Sequence, residues 1–188
     1  MLPRVEVAAG DRNPWKAVGY SLFAPKGRRN STHTETPIMP GTHSQILLHI
    51  VFSTKRREPW ITPDISERLY PYIGGIIRAE KGMLYDIGGV EDHIHLYLRW
   101  RPDATVSDLM RTVKASSSKW IHDTFPALGA FEWQEGYAAF SVSKLKEDAV
   151  RKYIAGQAEH HKKEDFKSEL LRMLRAHEIE FEERYVFD

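Results

Sequence analysis

The sequence predicts an α+β domain built on a four-stranded antiparallel sheet in βαββαβ order, the ferredoxin-like or RRM-like arrangement, with helices on one face and further helices after the last strand. Three observations carry this. Strand-like segments recur four times, one of them strictly alternating, helical spacing separates the first strand from the second and the third from the fourth, and two further helical patterns follow. In that layout one sheet face is covered and the other is expected to be open to a partner or substrate.

The elements follow in order. Residues 1–42 hold five of the 10 prolines and no sustained period, so they read as a poorly ordered extension before a domain over residues 43–188. Met39 stands just before the first strand, as an internal start of the domain would. Gln45–Ser53 is an apolar, β-branched run suited to a central strand. Asp64–Lys81 spaces Ile65, Leu69, Tyr72, Ile73, Ile76 and Ile77 as a helix does, with Pro71 inside as a source of a kink or a late start. Met83–Val90 is a second strand, weakened by Gly88 and Gly89, and Gly88–Asp92 reads as a hairpin bend. His93–Trp100 alternates strictly. Val106–Phe125 is a second helix, Gly136–Val142 a fourth strand, Lys146–His161 a third helix and Phe166–His177 a fourth, with Tyr185–Phe187 as a short strand or tail.

Composition bounds the chemistry. The chain has 188 residues, 41% hydrophobic and 28% charged, as a globular domain requires. It has no cysteine, which excludes disulfides, thiolate metal sites and a cysteine nucleophile. The longest apolar run, Ile46–Phe52, is interrupted by His49. It is far too short for a membrane span. The expectation is a soluble, cytoplasmic protein with no membrane partner. Net charge is +1, so a polyanion would have to bind a local cluster and not a whole-molecule field.

Two segments hold groups suited to chemistry. In His93–Trp100 the residues Ile94, Leu96, Leu98 and Trp100 share one face, and His93, His95, Tyr97 and Arg99 the other. Imidazoles at i and i+2 stand about 6–7 Å apart at Cα, close enough to converge on one metal ion. Two solvated histidines on a polar face would read the same way. In the third helix Tyr153 and Gln157 lie one turn apart, followed by His160 and His161. A tyrosine is a nucleophile once activated, and a divalent metal polarises a phosphate under attack. Basic residues cluster at Lys55, Arg56 and Arg57, at Arg111, Lys114 and Lys119 around a serine run, and at Lys144, Lys146, Arg151 and Lys152. Such clusters contact phosphates. His49 reads as a plain strand histidine, the alternative being a support for the other two.

His49–Lys55, Gly88–Asp92, His93-Ile94-His95 and Tyr153-Ile154-Ala155-Gly156-Gln157 occur in this order along most of the chain beyond residue 43. The stretch from about residue 43 to 187 resembles the single-tyrosine HUH transposases of bacterial insertion sequences, including the repeat-associated tyrosine transposases. The resemblance implies an enzyme that cleaves and rejoins single-stranded DNA at hairpin-marked element ends. Tyr153 would attack the scissile phosphate and form a 5′-phosphotyrosine link. His93, His95 and Gln157 would hold Mg or Mn, and Lys55, Arg56, Arg57, Arg111, Lys114, Lys119 and Lys152 would face DNA. It further implies a homodimer. A non-catalytic nucleic-acid-binding module of the same shape is the rival. A metal hydrolase would need more carboxylates than Glu91 and Asp92, the only ones near the histidines in sequence.

Overall fold

The computed structural model describes residues 43–187, so the expected extension over residues 1–42 lies outside the described residues. Among the described residues, four strands, β1 (Ile46–Ser53), β2 (Met83–Val90), β3 (His93–Trp100) and β4 (Ala138–Ser141), form one antiparallel sheet in the order β2-β3-β1-β4. Helix α1 (Pro63–Ala79) joins β1 to β2 and α2 (Val106–Thr124) joins β3 to β4. This is the βαββαβ arrangement expected. Pro63 takes the first helical position, where its missing N–H costs nothing, and α1 runs on through Pro71. Thr105 caps α2, its hydroxyl accepting from the Asp108 N–H at 3.1 Å, which satisfies one of the free donors at the helix start.

Ile94, Leu96, Leu98 and Trp100 of β3 face a core shared with Leu48, Ile50 and Phe52 of β1 and with the apolar stripes of α1 and α2. The opposite face is not open. After β4 the chain forms α3 (Glu147–Ala155), α4 (Gln157–His160), α5 (Phe166–Ala176) and α6 (Glu183–Val186). Val150 and Ile154 of α3, with Phe166, Leu170, Met173 and Leu174 of α5, pack on Leu47, Val51, Tyr97 and Phe140. The sheet is thus buried on both faces, and His49, His93 and His95 are fully buried instead of lying on a solvated face. The reason is α5. Its apolar residues at i, i+4, i+7 and i+8 need a surface, and the second sheet face is the one that accommodates them.

Four smaller differences separate the structure from the expectation. The helix expected over Lys146–His161 is divided at Gly156, a weak helix former, whose N–H reaches both the Lys152 and Tyr153 carbonyls. The fourth strand is shorter than expected, and the last segment forms the one-turn helix α6 and not a strand. The β2–β3 hairpin closes in two residues, Glu91 and Asp92, because Val90 still pairs with His93. That turn is pinned from β1: the Thr54 N–H donates to the Asp92 carbonyl at 2.8 Å and the Ile61 N–H to that of Glu91 at 2.8 Å.

Gly88 sits where α3 crosses β2. A Cβ there would lie 2.8 Å from the Ile154 carbonyl oxygen. Only glycine lets the helix approach this closely.

Candidate active site

The strand pair β1–β3 sets three imidazoles side by side. Register places Val51 opposite His95 and Ser53 opposite His93. His49, diagonal to His95, stacks on it with ring centroids 5.1 Å apart and meets its Nδ1 through Nε2 at 2.9 Å. It therefore orients a site histidine and is not a plain strand residue. His93 Nδ1 lies 2.6 Å from Asp92 Oδ1. An Nδ1–H donated to that carboxylate leaves the Nε2 lone pair of His93 facing inward.

Helix α3 lays Tyr153 across this face, its ring edge-on to His49 and His95 at 6.2 and 5.9 Å. The chain turn at Gly156 then aims Gln157 inward, with Oε1 3.4 Å from His93 Nε2. Tyr153, His93, His95 and Gln157, singled out from sequence, thus meet within one chain.

At their centre is Glu169, which sequence reasoning passed over. Asp165 caps α5, accepting from the Ser168 N–H at 2.8 Å, as an N-cap carboxylate does. Glu169 follows one turn later and is fully buried. Its Oε1 accepts from the Tyr153 hydroxyl and, at 3.0 Å, from the Gln157 amide. Its Oε2 lies 3.5 Å from His93 Nε2, 3.5 Å from His95 Nε2 and 3.2 Å from His161 Nε2. A warning was present in the sequence: Glu169 interrupts the apolar stripe of Phe166, Leu170, Met173 and Leu174. Arg172, close by on the same helix, donates to the Tyr153 hydroxyl at 3.3 Å and pairs with Glu164.

The electrostatics follow from burial and from this carboxylate. Burial pushes the Glu169 carboxyl up, but the imidazoles of His95, His161 and His93 overcome it and hold it well below the usual carboxylate range. Burial brings His95 down to about 4, with Glu169 opposing. Burial also lowers His161, but its hydrogen bond to Glu169 outweighs this and leaves it raised. The Tyr153 phenol is pushed well above its ordinary value, first by burial and then by the Glu169 charge.

The donor set suits a cation. His93 Nε2, His95 Nε2, a His161 ring nitrogen and a Glu169 oxygen all lie within 4.8 Å of one another. His95 Nε2 is buried with no hydrogen-bond partner, Glu169 Oε2 standing 3.5 Å away. An unpartnered ring nitrogen beside a carboxylate oxygen is the arrangement a metal ion resolves.

The basic residues are spread more widely. Lys55, Arg56 and Lys114 line an open hollow of about 960 Å³ with Ser118, Trp133 and Phe187. Lys114 turns inward there and donates to the carbonyls of Gln134 at 2.6 Å, Glu135 and Gly136. Lys55 pairs with Glu132, Arg111 with Asp108 and Lys119 with Asp123, all exposed pairs. Arg56 and Arg57 take left-handed backbone angles, φ 56° and 59°, just past the end of β1. Lys152 is exposed on α3 beside Tyr153. No described helix is long and apolar enough to cross a membrane.

The chain is similar in sequence and fold to known proteins. The family model described as "Transposase IS200 like" matches residues 42–157, well over half of the chain. The ISDra2 transposase TnpA of Deinococcus radiodurans is 25% identical over 119 residues, which is 60% of this chain and 84% of that protein. Among solved structures, a putative transposase from Deinococcus radiodurans R1 superposes with TM-score 0.53 at 21% identity, covering 65% of this chain and 98% of that one. A REP-associated tyrosine transposase bound to a REP hairpin superposes with TM-score 0.51 at 12% identity, covering 68% of this chain and 74% of that one. The chain belongs to the IS200-like transposase family, the enzymes of DNA transposition, and shares their α+β fold.

Proposed function

We propose that this transposase cleaves and rejoins single-stranded DNA at hairpin-marked element ends through a 5′-phosphotyrosine at Tyr153. The observation that carries the reading is the meeting of Tyr153 with His93, His95 and Gln157 in one buried cluster. The structural neighbour solved on a REP hairpin supports a DNA hairpin as the partner.

The Tyr153 oxygen attacks the scissile phosphorus. As the bond from Oη to phosphorus forms, the phenol proton passes to Glu169 Oε1, its hydrogen-bond acceptor, and the bond to the 3′-oxygen breaks, the leaving oxygen taking a proton from solvent to become the 3′-OH. The phosphotyrosine keeps the bond energy, so the 3′-OH of another end rejoins without nucleotide hydrolysis. Glu169 and Arg172 hold the phenol in place before attack. His93, His95 and Gln157 would hold the divalent metal, Mg or Mn. That ion, when bound, polarises the phosphate and stabilises the charge on the leaving oxygen. The phosphodiester enters beside Tyr153, His160 and Arg172, where the side chains are only partly buried. Lys55, Arg56, Arg57, Arg111, Lys119 and Lys152 track the backbone beyond it, with Lys114 bracing the 134–136 loop among them. A homodimer is part of the proposal, although Tyr153 reaches the histidines of its own chain.

The test uses labelled oligonucleotides carrying the hairpins that flank the gene. Cleavage of the single strand is expected in Mg or Mn, none in EDTA, and little on the perfect duplex, whose opening costs several kcal/mol. Equal cleavage of duplex and single strand, or cleavage indifferent to EDTA, contradicts the reading. Binding without any cleavage favours the non-catalytic module instead.

A further inference from the structure

The geometry points to Glu169 and His161 as direct ligands of the metal held by His93 and His95, making a centre of three imidazoles and one carboxylate. This rests on the metal reading above and extends it to residues beyond 157, outside the stretch the family model matches.

Ligands about 2.1 Å from a cation stand about 3.4 Å apart along the edge of a tetrahedron. The three edges that Glu169 Oε2 makes, to His161, His93 and His95, are 3.2, 3.5 and 3.5 Å. Gln157 Oε1 stands 3.4 Å from His93 Nε2, so it fits as a further ligand or as a brace for Glu169. The Glu169 carboxylate is divided: Oε2 turns to the imidazoles, while Oε1 takes the Tyr153 hydroxyl and the Gln157 amide. One side chain therefore joins the metal to the nucleophile, and losing it unfixes both. The imidazoles are held from behind. Asp92 fixes His93, and His49 fixes His95. His95 Nε2, buried without a hydrogen-bond partner, is the fourth point of the same cluster. Three imidazoles favour Mn and the later first-row ions over Mg, because nitrogen donors suit the softer cations.

The experiment takes the full chain, stripped with EDTA and desalted, and titrates Co(II), Mn(II) and Mg(II) by calorimetry. Wild type is expected to bind one Co(II) or Mn(II) and to prefer both to Mg(II). Glu169→Gln and His161→Ala should each weaken Co(II) by more than about 100-fold, beyond the about 10–100-fold that loss of an outer partner costs. The Co(II) visible band should shift in both. Unfolding temperature read with and without Co(II) separates loss of ligation from loss of fold. On wild type alone, the Co(II) protein should show three exchangeable, hyperfine-shifted imidazole N–H resonances, an arm that needs no variant to fold. Two such resonances, or both variants binding Co(II) within about twofold of wild type while His93→Ala loses it, overturn the inference and leave the His93–His95 site standing. Failure of wild type to bind any of the three ions overturns the metal reading itself.

Discussion

Glu169 is a carboxylate with no solvent, and such a group is costly unless donors surround it. The Tyr153 hydroxyl and the Gln157 amide donate to one of its oxygens, and the His161 ring stands 3.2 Å from the other. His49 acts one step further out, holding the Nδ1 edge of His95. His49→Phe preserves a ring in the stack but removes that hydrogen bond. Metal affinity measured by calorimetry should fall by about 10–100-fold, with the fold retained by circular dichroism. Unchanged affinity would mean that His95 is oriented by packing alone. The histidines, Tyr153 and Gln157 were legible because each pair is close in sequence, where period two or a single helical turn fixes the spacing. His161 was noticed beside Gln157 but given no role, and Glu169 and Arg172 were not legible, since their place depends on how α5 folds back over the sheet. The lone acid in the α5 apolar stripe was the one readable sign.

At the scale of elements, α3 can carry Tyr153 to the histidines only because β2 leaves room for it. Strand β2 offers glycine at the crossing, and Ile154 fills that space. Gly88→Ala puts a methyl 2.8 Å from the Ile154 carbonyl, too close to be absorbed. The cost should be about 1–3 kcal/mol, read by denaturant unfolding. Single-strand cleavage should fall further than DNA binding does, because the displaced helix is the one bearing the nucleophile. A variant as stable and as active as wild type would show that α3 does not need this contact. In the sequence the two glycines registered as a weakness of the strand. The purpose of Gly88 becomes visible only when the second face is seen to be occupied. The βαββαβ order was readable from periodicity, but the closing of that face was not, because the helices after β4 give no local signal of where they dock.

Taken whole, the molecule has almost no net charge, so attraction to DNA must be local. Lys55, Arg111 and Lys119 are spent on exposed ion pairs, each worth little and readily exchanged for a phosphate. Arg56 and Arg57, held in left-handed backbone just past β1, stand next to the turn that carries Asp92. Arg56→Ala and Arg57→Ala should weaken binding to hairpin oligonucleotides of any sequence. Each should reduce the slope of log affinity against log salt by about 0.7 where the contact is to a single strand, as measured by anisotropy titration. An unchanged slope would move the DNA path off this loop.

The central claim is that one buried cluster holds Tyr153 in place to attack single-stranded DNA. The most direct measurement is the covalent link itself. Wild-type protein, incubated with a labelled single-stranded hairpin oligonucleotide in Mn, should give an adduct that survives SDS, and digestion with mass spectrometry should place the nucleotide on the peptide containing Tyr153. EDTA and Tyr153→Phe should each remove the adduct, with oligonucleotide binding by the Phe variant near wild type. An adduct on another residue, or cleavage by Tyr153→Phe within a few-fold of wild type, would contradict the account.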